Sequence, residues 1–294
     1  MSIKLLATDL DGTLLKNNKC IDPETIDYII KFQENGGSLV LITGRRISEI
    51  WDYVHSLKML DFKSGYIVSC DGQYIWDISS DKKIKNEFLS IQDISYLLKA
   101  VKINKFNVSF YNENNDFLLL NKQKILSKLI LFSYHKFVKK NSRLKFITQY
   151  KAIELSQTGN IEKISFRNSD SAFDICSYFE ALLNEIHEYS IVLVEERKIE
   201  ISKKSVNKCE ALKQIVQWNY LCNDDILVFG DEGNDIYMLR YFNHSFAMGN
   251  ACEYVKQAAK FVTDTNENQG VLKVLKNYID ESKYIHQTIE KSAI

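Results

Sequence analysis

Short apolar runs that end at a polar residue or glycine alternate with helical patterns near both ends of this chain. Three runs, Ile3–Thr8, Ser38–Ile42 and Tyr66–Ser69, lie near the N-terminus, and a fourth, Ile226–Phe229, lies near the C-terminus. Strands that are apolar along their whole length are buried on both faces, and strands that alternate with helices pair in parallel. The pattern predicts an α/β fold whose core is a doubly wound parallel sheet.

Residue types that are typical of helix starts place two of the helices. Asp22 suits an N-cap, and Pro23 suits the first helical position of the segment that follows. Asn207 and Glu210 have the spacing of a capping box, which predicts a helix that begins at Lys208.

The middle of the chain differs from both ends in charge and in pattern. Residues 81–187 carry 17 basic and 11 acidic side chains, whereas the rest of the chain carries 21 basic and 27 acidic ones. Longer amphipathic helices and alternating strands in the middle predict an α+β domain with an antiparallel sheet, inserted into the core. The predicted parts are the first core segment 1–82, the inserted domain 83–187, the second core segment 188–280 and a polar tail 281–294.

The composition excludes several classes of protein. The chain has 294 residues, of which 45% are hydrophobic, and its 38 Lys and Arg balance its 38 Asp and Glu. A disordered chain is less apolar, and a nucleic-acid-binding protein usually carries a basic excess. The sequence has no signal-peptide pattern, no apolar run of membrane-spanning length and no zinc-like spacing of Cys and His. We expect a cytoplasmic protein with reduced cysteines, no nucleic-acid or membrane partner, and a monomeric or weakly dimeric state.

Polar side chains suited to phosphate chemistry follow the predicted strands. In an open parallel sheet, ligands bind outside the carboxyl ends of the strands. Carboxylates that converge there need a cation, and oxygen ligands favour a hard ion such as Mg²⁺. A hydroxyl, a lysine and a helix N-terminus suit a phosphate, and a carboxylate can act as nucleophile, acid or base. The candidate residues are Asp9, Asp11, Thr43, Gly44, Asp231, Asn234 and Asp235, with Lys208 at the predicted helix start.

Four motifs in this order resemble those of the haloacid-dehalogenase-like (HAD) superfamily. They are Asp-x-Asp-Gly-Thr at 9–13, Thr-Gly-Arg at 43–45, Lys208, and Gly-Asp-x-x-Asn-Asp at 230–235. The large insertion and the run Ala247–Ala251 resemble the Cof-type branch, subclass IIB, whose inserted cap domain is of the C2B type. The resemblance covers residues 1 to about 280. It implies a Rossmann-like core and a phosphatase that hydrolyses small phosphorylated metabolites, with sugar phosphates as the leading class.

The resemblance implies roles for the acidic residues. Asp9 would attack phosphorus, and Asp11 would protonate the leaving alcohol and then activate water against an aspartyl-phosphate. Mg²⁺ would be held by the Asp9 carboxylate, the backbone carbonyl of Asp11 and Asp231, with Asp235 supporting it directly or through water.

The resemblance also implies a set of phosphate ligands. Thr43, Gly44 and Lys208 would hold the phosphate, and Lys208 would offset the charge of Asp9. Asn234 would orient Lys208 or the phosphate itself. A small phosphorylated metabolite is therefore the expected partner.

Three positions depart from the pattern of this branch. Asp71 stands where Asn is usual after the third strand, Cys209 stands where Gly usually follows the lysine, and Gln269 replaces an acidic residue before Gly270. An Asp that points away from the site is the commoner outcome in an Asp-Gly turn, whereas an Asp that points inward would alter the choice of substrate.

Two other functions are compatible with the same motifs. A phosphomutase of this superfamily would return the phosphoryl group to the sugar instead of releasing it. A non-catalytic sugar-phosphate-binding regulator would keep the fold but would have no need of the second acid, Asp11.

Overall fold

A computed structural model of the chain describes residues 3–101, 106–119, 144–157, 161–168, 170, 173–194 and 197–278. The chain divides into two compact units, one made of Met1–Asn86 with Asn207–Ile294 and the other of Glu87–Val206. One of the amphipathic helices expected in the inserted domain falls near residues 124–137, and this segment and the predicted tail 281–294 lie outside the described residues.

The described residues contain fourteen strands. In chain order they are β1 Leu5–Thr8, β2 Ser38–Ile42, β3 Tyr66–Ser69, β4 Tyr74–Asp77, β5 Lys82–Lys85, β6 Asn107–Tyr111, β7 Asp116–Leu119, β8 Leu144–Ile147, β9 Lys163–Arg167, β10 Tyr189–Val194, β11 Lys198–Lys203, β12 Ile226–Gly230, β13 His244–Ala247 and β14 Phe261–Val262.

The helices begin where the capping residues predict. The Asp22 side chain accepts a hydrogen bond from the backbone N–H of Glu24, and Pro23 is the first helical residue.

Within the described part of the chain, no helix combines the length and the apolar character that a membrane span requires. The α-helices are Pro23–Glu34, Trp51–Ser56, Met59–Phe62, Ile91–Ala100, Gln149–Gln157, Ile175–Glu185, Lys208–Trp218, Ile236–Tyr241 and Glu253–Lys256, and residues 270–278 are also helical.

The first unit is built on an eight-stranded sheet in the order β14-β13-β12-β1-β2-β3-β4-β5. Neighbouring strands from β14 to β3 are parallel. Along β1, Leu5 packs into one apolar cluster and Leu6 into another, so helices cover both faces. The predicted doubly wound α/β core is confirmed. The antiparallel strands β4 and β5 extend this sheet and were not predicted.

The second unit is an α+β domain on a six-stranded sheet in the order β10-β11-β9-β6-β7-β8. Its pairs are antiparallel except for β7 and β8, which are parallel. Phe110 and Phe166 from the sheet pack in one buried cluster with Leu97 and Phe179 from two helices. Helices therefore cover one face of this sheet, and apolar side chains pack between the helices and the sheet.

The boundaries of the inserted unit differ from the predicted 83–187. Strands β10 and β11 pair with each other, and β11 also pairs with β9, so the unit extends to Val206. Ile199 and Ile201 of β11 are buried in its apolar cluster. At the other boundary, β5 pairs with β4 of the first sheet, and the second unit begins at Glu87.

Candidate active site

The carboxyl ends of three adjacent parallel strands meet at one edge of the first sheet. Strand β1 pairs in parallel with β2 on one side and β12 on the other. Asp9 follows β1, Thr43 follows β2 and Asp231 follows β12, so the parallel register brings the three together. The backbone N–H of Asp9 also donates to the carbonyl of Phe229 at 3.1 Å. The predicted convergence of these strand ends is therefore present.

Lys208 lies at the centre of this edge, fully buried. Its Nζ donates to Asp9 Oδ1 and to Asp235 Oδ1, each at 2.7 Å. The helix that begins at Lys208 is capped by Asn207, whose side chain accepts from the N–H of Glu210 at 2.9 Å. Burial disfavours the charged lysine, but the nearby carboxylates outweigh it and raise the pKa of Lys208. The lysine therefore stays charged and offsets part of the acid charge around it.

Asp235 uses both of its carboxylate oxygens inside the protein. Oδ1 accepts from Lys208, and Oδ2 accepts from the backbone N–H groups of Asp231 at 2.9 Å and Glu232 at 3.0 Å. The residue is completely buried. Asp235 thus fixes the loop after β12 and the lysine at the same time.

Asp231 is held by side chains from two other loops. Thr13 Oγ1 donates to its Oδ1 at 2.9 Å, and Asn250 Nδ2 lies 3.3 Å from its Oδ2. Gly12 has a φ of +76°, and a Cβ there would overlap the Asp231 carboxylate. The glycine of the first motif therefore leaves room for Asp231 beside the chain at residues 9–13.

The site has the donor set of a hard cation. Asp9, Asp231 and Asp235, together called the acid cluster, each offer a carboxylate oxygen, and the three oxygens lie within 4.8 Å of one another. Burial raises the pKa of Asp9 to about 7 although Lys208 opposes it. Burial and repulsion by Asp9 raise the pKa of Asp231 to about 8. One lysine does not balance three carboxylates, two of them buried, so an all-oxygen site for Mg²⁺ fits these residues.

Asp11 faces two cations instead of the acid cluster. Arg45 donates to both of its carboxylate oxygens, at 2.5 and 2.6 Å, and Lys19 Nζ donates to Oδ1 at 2.7 Å. Tyr53 supports the pair, because its hydroxyl lies 3.3 Å from Arg45 and donates to the Lys19 carbonyl. Partial burial would raise the pKa of Asp11, but these hydrogen bonds outweigh it and lower the pKa to about 2. Asp11 is ionised in this arrangement.

The loop after β2 is packed against the loop after β3. Thr43 is buried, and its Oγ1 accepts from the N–H of Arg45 at 3.1 Å. Asp71 donates its backbone N–H to the Thr43 carbonyl at 3.0 Å, and its side chain accepts from Asn234 Nδ2 at 2.7 Å. A Cβ on Gly44 would lie 3.1 Å from Asp71 Oδ1. Thr43, Gly44 and Asn234 thus share one neighbourhood, and their binding of phosphate stays a prediction.

The motifs do not predict two side chains that shape this edge of the sheet. Arg45 belongs to the Thr-Gly-Arg motif, but nothing in the sequence points to its pairing with Asp11, and no motif includes Lys19. The direction of Asp71, which the sequence leaves open, is toward Asn234, the less common outcome for an Asp-Gly turn.

A model of the haloacid dehalogenase-like hydrolase family matches residues 6–275, which is most of the chain. The chain belongs to this family. A relative from Bacillus subtilis, 5-amino-6-(5-phospho-D-ribitylamino)uracil phosphatase YcsE, is 26% identical over 282 residues, covering 95% of this chain and 97% of the relative. The chain is accordingly an enzyme of a hydrolase family whose named relatives include phosphatases.

Solved structures of the same superfamily share the fold. The phosphatase BT1666 from Bacteroides thetaiotaomicron superposes with a TM-score of 0.74 at 22% identity, covering 94% of this chain and 95% of that one. The subclass IIB sugar phosphatase BT4131 superposes with a TM-score of 0.70 at 20% identity, covering 94% and 98%. These likenesses confirm the HAD-like core with an inserted α+β domain, as the motifs predicted.

Proposed function

We propose that this enzyme is a Mg²⁺-dependent phosphatase of small phosphorylated metabolites, chiefly sugar phosphates, that works through an aspartyl-phosphate on Asp9. The observation that carries the proposal is the buried contact of Lys208 with Asp9 and Asp235 beside Asp231. Such a site neutralises and positions a phosphoryl group, and phosphoryl transfer depends mainly on those two effects.

The proposed first step begins at Asp9. Lys208 binds Oδ1, which leaves Oδ2 as the attacking atom. A bond forms between Oδ2 and phosphorus as the bond from phosphorus to the leaving oxygen breaks, and Asp11 transfers its proton to that oxygen. In the second step water attacks phosphorus, Asp11 takes a proton from the water, and the bond from phosphorus to Asp9 breaks. The products are the free alcohol and inorganic phosphate.

The acid cluster would hold Mg²⁺ through the carboxylates of Asp9 and Asp231, with the backbone carbonyl of Asp11. When bound, the ion supplies positive charge that reduces repulsion between these carboxylates and the phosphate. Both oxygens of Asp235 already accept hydrogen bonds, so its proposed part is to fix Lys208 and the loop after β12.

The role of Asp11 requires a second arrangement of its side chain. In the present one, Arg45 and Lys19 keep the Asp11 carboxylate ionised, and an ionised carboxylate cannot protonate a leaving group. We therefore propose that Asp11 leaves these two cations during the reaction and becomes protonated near the leaving oxygen. Its side chain is partly exposed, which leaves room for that movement.

The leading substrate class is supported by the relatives. The name of YcsE describes a phosphorylated ribityl compound, and BT4131 is described as a sugar phosphatase. In both descriptions the phosphate is attached to a polyhydroxylated carbon chain. A sugar phosphate is therefore the class to test first on this enzyme.

Phosphate release from p-nitrophenyl phosphate, measured with and without Mg²⁺, tests the proposal. Asp9→Asn and Asp11→Asn should each abolish the Mg²⁺-dependent rate, whereas Asp61→Asn, at an exposed position before β3, should not. Unchanged rates in both active-site variants would show that the mechanism is wrong. A sugar phosphate panel then separates the alternatives, because a phosphatase releases free phosphate, a mutase yields an isomer, and a regulator binds without turnover.

A further inference from the structure

Asp71 is held at the edge of the sheet by its backbone. It lies in the turn after β3, where Cys70 has a φ of 51° and Asp71 a φ of 56°. The N–H of Cys70 donates to the Arg45 carbonyl, and the N–H of Asp71 donates to the Thr43 carbonyl, both at 3.0 Å. Asp and Asn tolerate this left-handed conformation better than most residues. The turn is therefore tied to the loop that carries the predicted phosphate ligands.

The Asp71 carboxylate lies between two of those predicted ligands. Oδ1 accepts from Asn234 Nδ2 at 2.7 Å and lies 3.1 Å from the position that a Cβ on Gly44 would occupy. Its charge also reaches Lys208, because burial lowers the pKa of that lysine and the charges of Asp235, Asp9 and then Asp71 raise it. A fourth carboxylate thus acts on the lysine that offsets the acid cluster.

This side of the site is rich in hydrogen-bond acceptors. The carboxylate of Asp71 only accepts, and it engages the amide nitrogen of Asn234. Asn234 Oδ1 is buried and has no hydrogen-bond partner among the described residues. Acceptors attract hydroxyl and ammonium donors, and a nearby negative charge repels anionic oxygen. A ligand with a second anionic group is therefore at a disadvantage here.

We propose that Asp71 is a specificity-determining residue that makes this site select phosphate monoesters of neutral polyols over phosphorylated carboxylic acids and bisphosphates. The inference rests on the proposed phosphatase function. It adds that the enzyme selects its substrates by the charge of the leaving group. A residue that only positioned Asn234 would act through the hydrogen bond. A residue that sets specificity in this way acts through its charge.

Asp71→Asn separates these two effects. The amide oxygen of Asn still accepts from Asn234 Nδ2, and Asn tolerates the left-handed backbone, so the change removes mainly the charge. Asp71→Ala removes both the charge and the acceptor. Asp61→Asn is the matched control, because it removes one exposed carboxylate on the segment that precedes the same strand.

The probes are glycerol 3-phosphate and 3-phosphoglycerate, which differ by a hydroxymethyl group against a carboxylate. Their dissociation constants are measured by calorimetry on Mg²⁺-supplemented enzyme that also carries Asp9→Asn, so that neither probe is hydrolysed, and their inhibition constants are measured against p-nitrophenyl phosphate with Asp9 intact. In the wild type, glycerol 3-phosphate should bind more tightly. Asp71→Asn should shift the ratio of the two constants about tenfold toward 3-phosphoglycerate, since a charge a few ångströms away is removed. Asp61→Asn should leave the ratio unchanged.

Two results would overturn the assignment of Asp71. One is a ratio of dissociation constants for Asp71→Asn that stays within about twofold of the wild-type ratio. If the ratio changes in Asp71→Ala but not in Asp71→Asn, Asp71 acts through its hydrogen bond and not through its charge. The other is no measurable binding of either probe. Failure of the phosphatase proposal looks different, because every variant would then release no phosphate while the calorimetric ratio still reports on Asp71.

Discussion

Two largely buried ion-pair clusters, one in each unit, have opposite compositions. In the first unit, Lys208 contacts Asp9 and Asp235, with Asp231 adjacent. In the second unit, Glu200 is paired with Lys163 at 2.7 Å and with Lys198 at 2.9 Å. One cluster has more acids than bases, and the other has two bases for one acid.

The difference shows which cluster has the features of a reactive site. Each oxygen of Glu200 has its own lysine, and all three residues lie on the paired strands β9 and β11, so this cluster is complete as a structural element. The acid cluster comes from separate strand ends, and the pKa values of Asp9 and Asp231 are raised to about 7 and about 8. Perturbed carboxylates that lack a balancing charge are typical of functional sites and indicate that a cation binds there.

The largest effect should come from Asp9→Asn. Loss of the attacking carboxylate is expected to lower the Mg²⁺-dependent rate by at least about a thousandfold, since nucleophile removal disables both steps. Glu200→Gln, the matched change in the other cluster, should leave the rate within about threefold because it lies outside the proposed chemistry. Steady-state kinetics on both variants checks this. Equal losses of rate in the two variants would remove the functional distinction between the clusters.

Lysine removal should separate the clusters by stability. Lys208→Met leaves Asp9 and Asp235 buried without their cation, and we expect the free energy of unfolding to fall by about 3–5 kcal/mol. Lys163→Met leaves Glu200 with Lys198, so a loss of about 1 kcal/mol is expected. Urea unfolding without divalent cations measures both. Similar losses would mean that the acid cluster does not depend on its lysine.

The acid cluster should also destabilise the metal-free protein as pH rises. The folded-state pKa values of Asp9 and Asp231 lie above the ordinary value of 3.8. The folded protein therefore binds protons at these two carboxylates more tightly than the unfolded chain does. The contribution of this proton binding to the free energy of unfolding is complete below about pH 4 and is lost as pH rises through about 7–8. Mg²⁺ should raise the melting temperature by about 5 °C at pH 8 and by less at pH 5. Asp231→Asn should reduce that increase, and an increase independent of pH would contradict the account.

The smallest effect, with the opposite pH dependence, is expected for Arg45→Ala. Arg45 helps to lower the folded-state pKa of Asp11 to about 2, so its stabilisation is present above about pH 4 and is lost as pH falls toward 2. Both side chains are partly exposed, and the expected loss at pH 7 is below about 1 kcal/mol. Urea unfolding at pH 7 and pH 3 measures the difference from wild type. A larger loss of unfolding free energy at pH 3 than at pH 7 would contradict the stabilising pairing of Arg45 with ionised Asp11.

The parts of this enzyme that follow from local patterns could be predicted from the sequence. The apolar runs before Asp9 and Asp231 are buried parallel strands, and parallel pairing places their ends together. The helix cap at Asn207 set the position of Lys208 within the site. Cys209 is the second residue of that helix and is buried in the apolar core, so its departure from the family pattern is accommodated by packing.

Features that depend on long-range pairing or unusual backbone could not be predicted in this way. The end of the inserted unit depends on the pairing of Ile201 with Ile164, which are far apart in sequence. The directions of Lys19 and Asp71 depend on positive φ values of 65° and 56°, which residue patterns do not encode for these residue types. Gln269 also has a positive φ, and its side chain donates a hydrogen bond to the Asp22 carboxylate, which an ionised acid at this position could not do.

Trapping the phosphoryl group on Asp9 tests most directly whether Asp9 is the nucleophile. Asp11→Asn enzyme is mixed with Mg²⁺ and p-nitrophenyl phosphate, quenched in acid after a few seconds, digested and analysed by mass spectrometry. The peptide containing Asp9 should gain the mass of one phosphoryl group, which hydroxylamine removes. Enzyme that carries both Asp9→Asn and Asp11→Asn should gain none. A wild-type enzyme that turns over while the trapped variant carries its phosphoryl group on another residue would contradict the role of Asp9 as nucleophile.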